Sequence, residues 1–230
     1  MSDRDLELLD EYRLSHSTSY DTIVRLIVDC FQLEPTGRPA KSTSSIIEKL
    51  QRESLRLAQM QDIAGCRLIV DNSYTQDTVS NSLMQHLSRD GIQRSMIDRR
   101  TNPSNGYRAI HIVATWSERH VEIQIRTELQ HLWAEFSEKL SDIIDYKIKY
   151  GGGAEEIQTV LQDTSRLVSN HEKKEYEFGT FIRSFSSEDQ VSEHQYEIEN
   201  LKVDLDARRT ALLNGFRIVI QNIIDRRATK

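Results

Sequence analysis

The segment Val121-Glu122-Ile123-Gln124-Ile125-Arg126-Thr127 decides how the rest of the chain is read. Apolar and polar residues alternate through it and the apolar ones are β-branched, so a period of two predicts a half-buried strand. Such a strand sets Glu122, Gln124 and Arg126 in one row while Val121, Ile123 and Ile125 anchor the other side in a core, a rigid base for a polar site. Upstream, Tyr107 to Trp116 reads as a second strand, and Ser117-Glu118 leaves room only for a tight turn before Arg119. Counting back from that turn sets Ile112 opposite Ile123, Ile110 opposite Ile125 and His111 opposite Gln124, so both strands agree on the apolar face. The polar face then gathers Tyr107, His111, Glu122, Gln124 and Arg126. Taken alone, the hairpin fits equally well with an outer sheet face that only meets solvent.

Outward from the hairpin, helical and strand-like segments alternate. Helices are predicted over about 5–14 and 20–33, ending at Glu34-Pro35-Thr36-Gly37, and over 44–60 and 76–89. A strand is predicted at Cys66 to Val70, another near Ile92 to Ile97, and a helix from Glu128 to about Tyr146. The pattern gives an α+β fold: a central, mostly antiparallel sheet of about five strands flanked by helices. Gly151-Gly152-Gly153 breaks it and marks a boundary, with a domain over 1–150 and a helical extension over 151–230. Within the extension, helices are predicted over 155–176 and 193–227. The last one carries Ile198, Leu201, Leu205, Leu212, Phe216, Val219 and Ile223, a stripe that packs on the domain or on another subunit.

The chain has 230 residues, 37% of them hydrophobic, enough for one sizeable core plus an appendage. Thirty Lys and Arg against 36 Asp and Glu give a net charge of −6, so no global basic field points to nucleic acid. Cys30 and Cys66 lack metal-ligand spacing and read as buried thiols. Nothing resembles a signal peptide or a membrane span, so a cytoplasmic protein with no membrane association is expected.

Asp62 lies just ahead of the Cys66 strand, where Gly65 permits a close backbone approach. A lone aspartate there is most often a cap or turn residue. If it converges with Glu122 across the sheet, however, two carboxylates plus substrate phosphates make a usual Mg²⁺ site. The loop Arg38-Pro39-Ala40-Lys41-Ser42-Thr43-Ser44-Ser45 offers two cations and several hydroxyls at a helix start, suited to phosphate, although Ser and Thr before a helix are commonly plain caps. Arg67 adds a cation that can stack on a base or pair with phosphate. Tyr107, after Asn105-Gly106, can stack on a second base or pack in a core.

Taken together, Arg38 with Lys41 to Ser45, Asp62-Ile-Ala-Gly-Cys-Arg67, Asn105-Gly-Tyr-Arg-Ala-Ile-His111 and Glu122-Ile-Gln-Ile-Arg-Thr127 with His131-Leu-Trp-Ala-Glu135 resemble the RelA/SpoT synthetase domain in its small stand-alone alarmone synthetase form. The resemblance covers about 37–147. It implies a nucleotidyltransferase-like fold and a Mg²⁺-dependent transfer of the β,γ-pyrophosphate of ATP to the 3′ hydroxyl of GDP or GTP, with release of AMP. On that basis Asp62 and Glu122 hold Mg²⁺, and Glu122 also orients or deprotonates the hydroxyl. Arg38 and Arg67 sandwich adenine, and Lys41 and Ser45 hold the ATP phosphates. Tyr107 stacks on guanine and His131 reaches its edge, with His111, Gln124 and Arg126 in support on the acceptor side.

Two departures stand out: Arg38 precedes Lys41 by three positions where the family commonly has two, and Phe136-Ser-Glu-Lys replaces the usual Glu-His pair after Trp133-Ala-Glu. The absence of a His-Asp dipeptide leads to the expectation of a synthetase without the family's hydrolase. Relatives that modify the 3′ end of tRNA or make adenosine alarmones share the same core residues and form the alternative reading. A catalytically silent nucleotide or RNA sensor is a second alternative, opposed by the retention of both acids. The last helix suggests a homo-oligomer, dimer or tetramer.

Overall fold

A computed structural model describes residues 2–228. The chain forms two compact units interleaved in sequence. Among the described residues, one comprises 2–69, 76–98 and 110–126; the other comprises 70–75, 99–109 and 127–228.

The first unit is built on a mixed five-stranded sheet. Its strands are β1 (Thr36–Arg38), β2 (Ala64–Val70), β3 (Gln93–Asp98), β4 (Ile110–Trp116) and β5 (Arg119–Thr127), in the order β1-β2-β5-β4-β3. The β4–β5 register is the expected one, with Ile112 opposite Ile123, Ile110 opposite Ile125 and His111 opposite Gln124. Ser117 (φ 48°) and Glu118 (φ 61°) both adopt the left-handed conformation that a two-residue hairpin turn requires.

Strand β4 begins at Ile110 rather than Tyr107. Asn105 (φ 52°) and Gly106 (φ 88°) turn the chain, Tyr107 N–H closes that turn on the Ser104 carbonyl at 2.9 Å, and pairing starts only beyond it. The edge strand β1 has no signature in the sequence, since three exposed residues are too few to show a period.

Helices α1 (Asp3–Leu14), α2 (Ser17–Phe31), α3 (Thr43–Glu53) and α4 (Ser73–Arg89) supply the apolar cover. Ser19 of α2 donates to the Trp116 carbonyl at 2.8 Å, and Gln76 of α4 donates to the Ile125 carbonyl at 2.7 Å. Ile23, Ile27, Leu83 and Leu87 join Leu68, Ile110, Ile112, Ile123 and Ile125 among the fully buried side chains. Each stabilises the unit by roughly 1.5–3 kcal/mol relative to exposure. Helix α3 stops earlier than expected because Ser54 turns left-handed (φ 50°), consistent with the broken apolar period after Leu50. Cys66 is buried as expected, whereas Cys30, in the last turn of α2, is exposed.

The second unit is helical: α5 (Glu128–Ile143), α6 (Glu155–Arg183), α7 (Glu188–Glu193) and α8 (Gln195–Ala228). Leu129, Trp133, Phe136, Leu161, Val168, Leu213 and Phe216 share one core. Of the stripe expected on α8, Leu205 and Phe216 are buried, while Leu201 and Val219 are 41% and 42% exposed and Leu213 and Ile220 turn inward instead. That stripe followed a 3.5-residue repeat, and a straight helix drifts about 20° per heptad away from one. Among the described residues no helix is long and apolar enough to cross a membrane.

Candidate active site

Glu122 lies at the centre of a hydrogen-bonded row on the polar face of the sheet. Buried Arg126 donates through Nη2 to Gln124 Oε1 at 2.7 Å, which fixes the amide so that its Nε2 faces Glu122 Oε2, also at 2.7 Å. From β4, His111 Nδ1 donates to Glu122 Oε1 at 2.8 Å. Burial raises the Glu122 pKa, but the hydrogen bond and charge of His111 and the hydrogen bond from Gln124 outweigh it. Despite repulsion from Asp62, the carboxyl stays below its ordinary 4.5. The alternation of β5 therefore does more than separate polar from apolar, because each polar member orients the next.

Asp62 approaches from the end of the α3–β2 connection. Its Oδ2 accepts from Lys41 Nζ at 2.9 Å, and its Oδ1 forms an ion pair with Lys49 Nζ at 2.9 Å. Burial pushes this carboxyl up, while the hydrogen bond and charge of Lys41, followed by those of Lys49, bring it below 3.8. Lys41 is itself held in place, its N–H donating to the Ile63 carbonyl at 2.7 Å. Lys49 had not been anticipated. It lies one helical turn beyond Ser45 on α3, and that i, i+4 relation is the signal that points to it.

Ser42 is the N-cap of α3, accepting from Ser45 N–H at 3.3 Å and donating to Ser45 Oγ at 2.8 Å, so these hydroxyls first serve the helix start. Arg38 pairs with Gly65, and Thr36 with Arg67, which makes Arg38 and Arg67 diagonal neighbours on one face of β1 and β2. A Cβ on Gly65 would come within 2.9 Å of the Glu122 carbonyl and 3.6 Å of its Cβ, so Gly65 lies beside Glu122 on that same face. Gly65 thus allows a backbone approach that any larger residue would obstruct.

Tyr107 and His131 belong to the second unit. Tyr107 packs partly buried against the core around Trp133, and His131 is half-buried in the first turn of α5. Among the described residues no group of three or more His, Cys, Asp and Glu side chains could hold a metal. The pair Asp62 and Glu122 fits Mg²⁺ all the same, since both are held ionised, Glu122 feels the charge of Asp62, and Mg²⁺ usually takes one or two carboxylates with phosphate oxygens completing its shell.

An α+β unit with one ionised carboxylate on β5 and another ahead of β2 between two lysines has the charge pattern of proteins that handle phosphate esters. The family profile described as "Region found in RelA / SpoT proteins" matches residues 37–150. GTP pyrophosphokinase YjbM of Bacillus subtilis is 30% identical over 180 residues, covering 70% of this chain and 80% of that protein. The chain belongs to the RelA/SpoT family. Uncharacterized protein Rv1366 of Mycobacterium tuberculosis is 35% identical over 147 residues, covering 58% of this chain, which spans 53% of that relative. Among solved structures, a GTP pyrophosphokinase family protein from Streptococcus pneumoniae superposes with a TM-score of 0.60 at 26% identity, over 80% of this chain and 97% of the other. Small alarmone synthetase 1 from Bacillus subtilis gives 0.55 at 26% identity, over 80% and 98%. The fold is that of the small alarmone synthetases.

Proposed function

We propose that the chain transfers the β,γ-pyrophosphate of ATP to the 3′ hydroxyl of GDP or GTP, releasing AMP. The observation that carries this reading is the pair of ionised carboxylates, Glu122 on β5 and Asp62 just ahead of β2, the second held between Lys41 and Lys49. Both are kept ionised by neighbouring donors and cations, and two ionised carboxylates are what a Mg²⁺ ion shared with substrate phosphates takes from a protein.

Asp62 and Glu122 would hold Mg²⁺, which when bound supplies charge neutralisation at the transferred group. Lys41 and Lys49 lie on Asp62 and are the cations best placed for the ATP phosphates, with Ser45 at the helix start beside them. Arg38 and Arg67 share a face as diagonal neighbours, an arrangement in which two guanidinium planes can take a flat base between them. Glu122 is a weak base because His111 and Gln124 stabilise its charge, so orienting the 3′ hydroxyl is the larger part of its role. Tyr107 would stack on the guanine and His131 reach its edge. Pyrophosphoryl transfer asks mainly for alignment and neutralisation, and a row locked along one strand supplies alignment.

The exposed Leu201, Ile218 and Val219 of α8 support self-association, which light scattering at working concentration tests; a monomeric mass would exclude it. For the activity, purified protein is incubated with Mg²⁺ and γ-labelled ATP and offered GDP, GTP, ATP or deacylated tRNA separately. Label on GDP or GTP is the expected result. Label on tRNA or an adenosine nucleotide alone would redirect the acceptor, and label on none would leave a nucleotide-binding regulator.

A further inference from the structure

Helix α6 holds two short segments of the second unit, the turn around Tyr107 and the start of α5. Leu161, Ser165, Val168 and Glu172 recur at intervals of three and four residues and form one buried stripe. Ser165 Oγ donates to the Gly106 carbonyl at 2.6 Å and accepts from Arg108 Nε at 3.1 Å. One hydroxyl thereby clasps the residue on each side of Tyr107. Arg108 also donates to the Arg100 carbonyl, and a Cβ on Gly106 would lie 2.7 Å from the Trp133 ring, so this segment has little room to shift.

Seven residues along the same stripe, Glu172 Oε1 accepts from Thr127 Oγ1 at 2.6 Å and from Gln130 Nε2 at 2.9 Å. These two side chains form the capping box that starts α5: Gln130 N–H donates to Thr127 Oγ1 at 3.1 Å and Thr127 N–H donates to Gln130 Oε1 at 3.3 Å. His131 follows directly. Apolar residues would pack a helix interface at least as well, whereas hydroxyl and carboxylate partners fix where the attached segments lie.

We propose that Ser165 and Glu172 are positioning residues, a polar ledge on α6 that sets Tyr107 and His131 for the acceptor nucleotide. The proposal rests on the function proposed above. Its economy lies in preorganisation: a ring held between two clasped neighbours loses less freedom when a base stacks on it.

The test compares Ser165→Ala, Glu172→Ala and Glu172→Gln in the full chain, measuring KM for ATP and for GDP, kcat, and amide hydrogen exchange across 104–109 and 127–131. Both alanine variants, each losing two hydrogen bonds, are expected to raise the GDP KM by about threefold to tenfold or more, and to speed exchange in those two segments while the ATP KM holds. Glu172→Gln keeps an accepting oxygen and is expected to restore the GDP KM. A purely structural role would instead accelerate exchange throughout α6 without separating the two KM values, and that outcome overturns the ledge. So does a Glu172→Gln variant as impaired as Glu172→Ala. Should Glu172→Ala fail to fold, Ser165→Ala decides by the same readouts. A wild type that transfers to no nucleotide overturns the functional reading and the ledge together, whereas an active wild type whose GDP KM ignores both alanine changes overturns the ledge alone.

Discussion

The carboxylate row of the first unit and the Gly106–Arg108 segment of the second are both held by hydrogen bonds, but over very different distances along the chain. Arg126, Gln124 and Glu122 are successive same-face residues of one strand, and His111 comes from its hairpin partner, 11 residues away. Gly106 and Arg108 are held by Ser165, 59 and 57 residues on. The difference teaches where rigidity comes from. In the sheet it is inherent in the strand, whereas in the helical unit it depends on a long-range contact between elements whose local sequences do not specify each other.

The comparison assigns separate tasks to the two regions, and variants in each should separate them. The largest effect belongs to Glu122→Gln: transfer should fall roughly 10²–10⁴-fold while the far-ultraviolet spectrum and melting transition stay close to wild type. Substantial turnover at saturating Mg²⁺ would remove Glu122 from the chemistry. Next, Lys49→Ala leaves Asp62 with Lys41 alone and should raise the ATP KM by about tenfold or more, the scale of one charge-assisted hydrogen bond, with the GDP KM little changed. Steady-state kinetics against each substrate in turn would show whether the effect falls on the other side.

Tyr107→Ala inverts that pattern. Losing one base-stacking surface should raise the GDP KM roughly five- to a hundredfold and spare the ATP KM; equal shifts in both would mean that the two units do not divide the substrates. The smallest effect concerns pH. Burial raises the Glu172 carboxyl above its ordinary 4.5, against the hydrogen bonds from Thr127 and Gln130. The folded state therefore holds this proton more tightly than the unfolded chain, and the stability it confers is full below pH 4.5 and lost as pH rises through the raised value. Glu172→Gln carries no such proton, so urea melts should show the variant gaining on wild type between pH 4.5 and neutrality. A gap that does not move with pH would mean that the burial penalty is offset in the fold.

What the sequence made legible follows the same division. The hairpin, its register and its polar face, except for Tyr107, were readable because a period of two and a two-residue turn leave only one consistent alignment. Asp62, Lys41 and Glu122 lie in quoted motifs, and the structure draws Lys41 onto Asp62. Strand β1 escaped because three residues carry no period, and Lys49 because a lysine on a helix ordinarily marks a solvated face. Ser165 and Glu172 were invisible for a deeper reason. A serine and a glutamate in a long polar helix look like surface until the distant segments they hold are in place. The triple glycine Gly151-Gly152-Gly153, read as a boundary, lies within the second unit between a 3₁₀ turn at Ile148–Tyr150 and the start of α6, with Gly151 and Gly153 both at φ 85°.

Phosphorus NMR of a single mixture of wild-type protein, Mg²⁺, ATP and GDP tests the central claim most directly, because it identifies both products without a label. The account predicts AMP and a new diphosphate on the guanosine 3′ oxygen growing together in equal amounts, with neither forming when Glu122→Gln replaces the wild type. ADP in place of AMP, or AMP with free pyrophosphate and unchanged GDP, would contradict it, since the first is transfer of a single phosphoryl group and the second is hydrolysis.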